Sequence, residues 1–425
     1  MKKSMWRFVL CLAVLLLMII GQVTVFGAKA TELRFLTFQV GVHPEAGWLD
    51  ATVKSFNAKY AGKIKVVTDG VGTDADCFNK LRTDAATNTM PDLFMLKSDR
   101  SEFNVLAQSG RVVDLTRYLR ADKKFWARID EDSAANYTDN GKLLGLPYVK
   151  ALVGIYWNKD LFSKAGVKSF PATWDEFMAA CEKIKASGAT PLSLMTGENS
   201  WTTALLLADM LGTSAEGNKW LKGKPAEAKF NVPVFIDAVK KLQICLAKYT
   251  TPDAFGSGYG TVVNYFFQSR TAMVANGPWM IGSLRDPAIC PKATADNIGY
   301  ALAPGGGVIA MENVSYATGS KGSAKINASV TFLKFLATPE VYSTYLSLGG
   351  AAPCVSTDMT NVKYDSINNE LINASAKAKF KYSIFPNAVK PAVIDALSQF
   401  LPSLADGSLT PEQFAQKLQE TSDKN

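Results

Sequence analysis

The chain has 425 residues, of which 48% are hydrophobic and 20% charged, with 31 Gly and 18 Pro; this composition is globular and excludes a disordered or collagen-like polymer. Such a length exceeds what a single hydrophobic core organises, so two or three domains are expected. The net charge of +8 includes Lys2, Lys3, Arg7 and Lys29 in a leader without acids, and the +4 left after removing them does not argue for nucleic acid.

The leader reads as an export signal: a basic start, an apolar run from Phe8 to Ile20, and small residues Ala28 and Ala30 before a cleavage point that makes Thr31 the mature N-terminus. Its apolar core is too short for a comfortable bilayer span. Cys11 lies near the start of that core instead of after it, so a lipoprotein is not expected. No later segment approaches membrane-span length.

From Leu33 the two periods of α/β proteins alternate. Leu33 to Phe38 is a short apolar run, and Leu49, Val53, Phe56 and Tyr60 follow at helical spacing. Ile64 to Val67 is a β-branched strand, Phe78 and Leu81 mark a second helix, and Leu93 to Leu96 is a third strand. A βαβαβ order predicts a parallel sheet whose ligands gather at the carboxyl ends of its strands, where Gln39, His43, Asp99 and Arg100 follow.

After Gly141 the stretch Leu144 to Trp157 is largely extended. Thr173 and Glu176 form a capping box for a helix bearing Phe177, Ala180, Cys181 and Ile184 on one face, ended by Gly188. Phe235, Ala238, Val239, Leu242 and Cys245 mark a further helix, and Thr338-Pro339 and Thr410-Pro411 start two more. No repeat and no low-complexity linker appears, so the domains are expected to be joined by ordered crossings that restrict motion to a hinge.

His43 is the sole histidine, which leaves no Ser/His/Asp triad, Cys/His pair or HExxH site. Five cysteines remain after the leader. Cys181 and Cys245 sit on apolar helix faces, and Cys290 and Cys354, in Pro-bearing loops, are compatible with one disulfide in an oxidising compartment; no CxxC spacing points to a metal.

Five collinear blocks carry a resemblance: PDLFMLKSDR from Pro91, LAQSGRVVDLT from Leu106, GKLLGLPYVKALVGIYWNKDLFSKAGV from Gly141 with FPATWDEFMAACEKIKASG after it, FFQSRTAMVANGPWM from Phe266, and FLKFLATPEVYSTYL from Phe332. Over nearly the whole mature chain the sequence resembles the periplasmic (extracellular) solute-binding proteins of carbohydrate ABC importers, family 1, which includes maltose-binding protein. The resemblance implies a periplasmic-binding-protein type II fold, two α/β lobes joined by hinge crossings with a sugar cleft between them. The expected lobes are residues 31–147 with 315–358, and 148–314 with 359–425. It also implies a monomer that closes on its ligand without chemistry or cofactor and docks on the permease subunits of the transporter. The chain lacks a GxxxxGK[ST] phosphate loop, so it cannot itself drive import.

A sugar presents apolar C–H faces and a fringe of hydroxyls, so its site needs aromatic platforms and planar hydrogen-bonding groups. Asp99-Arg100 matches the family's cleft pair, and Trp279 in NGPWM matches a stacking tryptophan. Trp201, after Glu198 in a polar turn-prone segment, reads as a second platform, whereas Trp174 in a first helical turn reads as structural. Leu96 and Lys150 depart from the maltose site, where a tryptophan and a glutamate stand. Lys150 beside Tyr148 therefore admits a sugar acid or modified sugar. Asn313 borders the second crossing and completes the candidates with Gln39 and His43. The alternatives are a secreted carbohydrate-active hydrolase, which would need two carboxylates about 5 to 9.5 Å apart, and a sugar sensor presenting its closed form to a receptor kinase.

Overall fold

The alternating apolar periods of the N-terminal segment become a parallel sheet with helices packed on it. In the computed structural model, which describes residues 30–424 apart from Val42, Asp99, Gly350, Ala351 and Asp365, strand β1 (Thr31–Thr37) pairs in parallel with both β2 (Ile64–Gly70) and β3 (Leu93–Met95). The helices between them, Ala46–Lys59 and Asp74–Thr87, turn Leu49, Phe56, Cys77 and Leu81 inward. Thr73 starts the second helix by accepting the Asp76 N–H at 3.1 Å. The leader through residue 29 and Asp99 lie outside the described residues.

A short hairpin, β4 (Thr138–Asp139) with β5 (Lys142–Leu143), leads into the 13-residue strand β6 (Leu146–Asn158). The remaining strands are β7 (Thr190–Leu192), β8 (Thr271–Asn276), β9 (Ile298–Ala301), β10 (Gly307–Ala317), β11 (Ala352–Pro353) and β12 (Phe380–Tyr382). One sheet runs β2-β1-β3-β10-β6-β8-β7, with β11 and β9 also on β6 and β12 on β10. The hydrophobic interior does not follow this continuity. Leu146, Tyr148 and Val149 of β6 pack into one core with β1 to β3, while Ala151, Val153 and Ile155 of the same strand belong to a second core. Strand β10 passes the other way, from Ile309 in the second core to Val314 and Tyr316 in the first. Two α/β lobes result, joined by antiparallel β6 and β10 and by the return of the chain after β11, which pairs with β6 at Lys150 and Val149.

The second lobe is built on the helices that the sequence spacing predicts. Thr173 and Glu176 close their capping box over Trp174–Ala186, and Phe235, Ala238, Val239, Leu242 and Cys245 face inward from Pro233–Lys248. Helix Trp201–Gly212 runs through the middle of the lobe with every residue after Trp201 buried. Trp174 donates its indole N–H to Thr213 at 2.9 Å and packs edge-on against Phe177, a structural role.

The five cysteines after the leader are free and buried. The bridge compatible with Cys290 and Cys354 is absent: Cys290 lies beside the Phe267 carbonyl, and Cys354 gives its S–H to Glu312 Oε2 at 3.3 Å. Among the described residues no helix is long and apolar enough to cross a membrane, and no cluster of His, Cys, Asp and Glu could hold a metal ion.

Candidate ligand-binding cleft

Strands that run into the gap between two lobes deliver the loops at their ends to that gap. A cleft of about 910 Å³ opens there. Its floor is the crossing pair itself, Lys150 to Leu152 of β6 and Ala310 to Glu312 of β10, with Ala352 beside them. Ser98, Asn104 and Asn136 line it from the first lobe; the 221–226 loop, Ser383, Asn387 and Lys390 line it from the second. The lobes also meet at Pro44 and Gly282, where a Cβ on the glycine would stand 2.7 Å from the proline ring. The loop after β1 thus lies against the helix Met280–Arg285 that follows Trp279.

The floor carries a charged group assembled from both crossings. Lys150 and Glu312 are register partners on β6 and β10, and Lys150 forms an ion pair with Asp130 at 3.2 Å. Glu312 accepts from Ser133 at 3.2 Å, from Asn136 at 3.4 Å and from the Cys354 thiol. Burial raises the Glu312 carboxyl above its usual range against the pull of Cys354, Lys150 and Ser133. Burial alone would lower the Lys150 ammonium, but Glu312 and Asp130 outweigh it and the net shift is upward. Lys150 is therefore a fixed cation at the bottom of the cleft. Asn313 falls in a bulge: Glu312 pairs with Lys150 and Val314 with Val149, which leaves Asn313 out of the ladder, and it does not line the cleft.

On the second lobe, Glu198, Trp201 and Trp279 come together around a residue the sequence reading missed, Tyr259. The two indoles lie 6.1 Å apart, tilted by 46°. Trp279 Nε1 donates to Tyr259 Oη at 3.0 Å, and Asn276 Nδ2 donates to the same oxygen at 3.1 Å. Burial pushes the Tyr259 hydroxyl up to about 12, so it stays protonated. With its oxygen accepting twice, its own proton is left to give to an acceptor. Glu198 sits at φ +52°, in the left-handed region, and its carboxylate accepts the Tyr259 N–H at 3.3 Å. A Cβ on Gly258 would meet that carboxylate, which would have to swing off the Tyr259 N–H. The Gly256-Ser257-Gly258-Tyr259-Gly260 run is the signal that could have found Tyr259: glycines around one aromatic mark a close backbone approach. Glu312 had a fainter signal, as the sole acid within an otherwise uncharged extended run.

Two candidates from the sequence are core residues and are withdrawn as ligand contacts. Tyr148 is fully buried, gives its hydroxyl to Leu336 O at 2.9 Å, and is packed by Trp48, Tyr316, Tyr342 and Tyr345. Gln39 is 1% exposed with both ends of its amide used, giving to Glu45 and accepting from Tyr316. His43 is half-buried against Phe38. Its Nδ1 accepts the Glu45 N–H at 3.2 Å, and burial lowers its pKa, so at neutral pH it is a neutral ring with Nε2 as its donor. Arg100 opens helix Arg100–Gln108 at the end of β3; Asp99, just before it, is not described.

Residues 41–342 match the family model for bacterial extracellular solute-binding proteins. A multiple sugar-binding protein of Streptococcus mutans is 23% identical over 318 residues, 72% of this chain and 73% of its own. A binding protein of Brucella abortus is 26% identical over 263 residues, and the chain spans 61% of its length. Among solved structures, a chitin oligosaccharide binding protein superposes with a TM-score of 0.84 at 26% identity, over 93% of this chain and 98% of that one. Two α/β lobes around a cleft, on a sequence that matches this model from the loop after β1 to the second helix after β10, leave one classification: the chain belongs to the bacterial extracellular solute-binding protein family and has its type II periplasmic-binding-protein fold.

Proposed function

We propose that the protein is the capture component of a carbohydrate ABC importer: a sugar enters between the lobes, the lobes close on it, and the closed form delivers it to a membrane permease. The observation that carries the reading is the pair of indoles on the second lobe, Trp201 and Trp279, the latter held by a hydrogen-bonded tyrosine and standing at the start of the helix whose Gly282 meets the first-lobe Pro44. A flat aromatic surface with donors at its edge suits a pyranose, apolar on its faces and hydroxylated around its rim. The Streptococcus relative, named as a multiple sugar-binding protein, and the chitin oligosaccharide binding protein support the same class.

The lobes in this reading are residues 31–147 with 315–358, and 148–314 with 359–425, and the site comprises Trp201, Trp279, Tyr259, Glu198, Lys150 and His43, together with Asp99 and Arg100. A ligand that touches both lobes binds the closed form better than the open one, and that difference in affinity shifts the population to the closed form. Bond-making or bond-breaking has no part in this, and the protein acts as a monomer without a cofactor. The leader is removed after Ala30, with no lipid attached.

A thermal-shift screen of the mature protein against neutral and acidic mono-, di- and trisaccharides tests the proposal, since a ligand that binds only the folded state raises the melting temperature. At least one sugar is expected to stabilise the protein, and Trp279→Ala to abolish the effect. Failure of every sugar overturns the reading. Full affinity in Trp279→Ala overturns the site.

A further inference from the structure

The cleft is electrically lopsided. At its floor the cation Lys150 is matched by Asp130 and Glu312, whose oxygens are engaged by Lys150, Ser133, Asn136 and Cys354. On the second-lobe side three more lysines line the same space: Lys222 and Lys224 from the 221–226 loop, and Lys390. Only Lys224 has a carboxylate partner among the described residues, an exposed pair with Glu227 at 3.6 Å. Lys390 gives its ammonium to a neutral carbonyl, Ser422 O at 2.6 Å, which fixes the group without cancelling its charge. Helix Pro391–Ala405 starts in this wall with no side-chain cap, so its positive end adds to the same field. No aromatic ring lines the cleft among the described residues. This wall offers a sugar no stacking surface, only cations and small polar groups.

Resting on the reading of the cleft as the ligand site, we propose that the ligand is an anionic sugar, with a carboxylate or phosphate ester seated against Lys222, Lys224 and Lys390. A cleft walled by protein concentrates the field of Lys222 and Lys390, which have no carboxylate partner among the described residues, and an anion entering it gains where a hydroxyl does not. The shared chemistry is a fixed negative charge on a saccharide; uronates and sugar phosphates are its two sources.

Calorimetric titration of the mature protein with matched pairs separates them: digalacturonate against galactobiose, and glucose 6-phosphate against glucose, each at low and high salt. The charged member of at least one pair is expected to bind about tenfold tighter or more, with the advantage shrinking as salt rises. The pair with the larger ratio identifies the source of the anion. Lys222→Ala with Lys224→Ala, both exposed and replaceable without disturbing the core, is expected to cut that ratio about tenfold, whereas Lys183→Ala with Lys185→Ala, outside the cleft, leaves it alone. Equal affinity within both pairs, or a preference insensitive to the first double variant, overturns the proposal. Tight neutral binding without an anion preference overturns it alone and leaves sugar capture standing; no binding by any of the four overturns both.

Discussion

Asp209 tests whether the interior of the second lobe is as dry as its packing implies. It lies on the central helix Trp201–Gly212 with no exposed surface. Tyr382 donates to its Oδ1 at 2.8 Å, and its Oδ2 has no partner. Burial raises its pKa to about 8, opposed only by the Tyr382 hydrogen bond, so the folded protein carries a neutral carboxylic acid there at pH 7. An acid whose folded pKa is raised holds a proton that the unfolded chain has released, and its contribution runs opposite to that of a salt-bridged carboxylate. Stability on its account is greatest below about pH 4, falls through the window between about 4 and 8, and levels off above. At about 1.4 kcal/mol per pH unit, the loss from pH 5 to pH 7 is about 3 kcal/mol. Asp209→Asn keeps the acceptor for Tyr382 and cannot ionise. It costs about 1 to 2 kcal/mol for an amide N–H buried without a partner, at every pH. Denaturant titrations of both proteins at pH 5, 7 and 9 give the difference in unfolding free energy, from which the other titrating groups cancel. That difference is expected to swing by several kcal/mol toward the variant between pH 5 and pH 9. Parallel profiles would refute a neutral buried acid.

Tyr259→Phe removes the hydroxyl that accepts from Trp279 and Asn276. Ligand affinity should fall about tenfold, the loss of one hydrogen bond and the stranding of two donors, and an unchanged dissociation constant would remove Tyr259 from the site. Tyr148→Phe should cost about 1 kcal/mol of stability through the lost bond to Leu336 O and leave affinity as it was; weakened binding would contradict its placement in the core. With five buried free thiols, the native mature protein should be inert to Ellman's reagent and release five equivalents once unfolded under non-reducing conditions. Release of three would show a disulfide.

Much of the scaffold was legible because its signals are local. Apolar spacing gave the βαβαβ order, and the Thr173 and Glu176 pair gave a helix start that the structure reproduces down to both reciprocal hydrogen bonds. The site was less legible, and Tyr148 and Lys150 show why. They stand two apart on β6 and so point to the same side of the strand, and a sequence reading assigns them one environment. The strand leaves the first lobe between them: Tyr148 is sealed among aromatic rings, while Lys150 has a third of its side chain exposed in the cleft. Strand period reports side, not depth. Tyr259 was missed for a related reason. Its role comes from Trp279 and Asn276, which lie 20 and 17 residues away, and glycine spacing alone shows that something approaches closely without showing what.

Under the proposed closure, the same geometry decides where the molecule bends. Strands β10 and β11 are each hydrogen-bonded to β6 at the crossing, so the three move as one ribbon and a shear between them would break ladder bonds. Away from the ribbon the lobes also touch by packing, as at Pro44 and Gly282 or where helix Arg100–Gln108 rests on 385–388. Contacts of that kind can part without stranding backbone groups. The ladder is weakest where the register slips between Glu312 and Ser315, since a bulge leaves a residue unpaired and already bends its strand. Glu312 and Lys150 flank that point, bound to donors and acceptors on the first lobe through Ser133, Asn136 and Asp130. A rotation there would carry the second-lobe tryptophans toward or away from the cleft floor while the polar group beneath the ligand kept its shape, so the floor can be preorganised even though the walls must move.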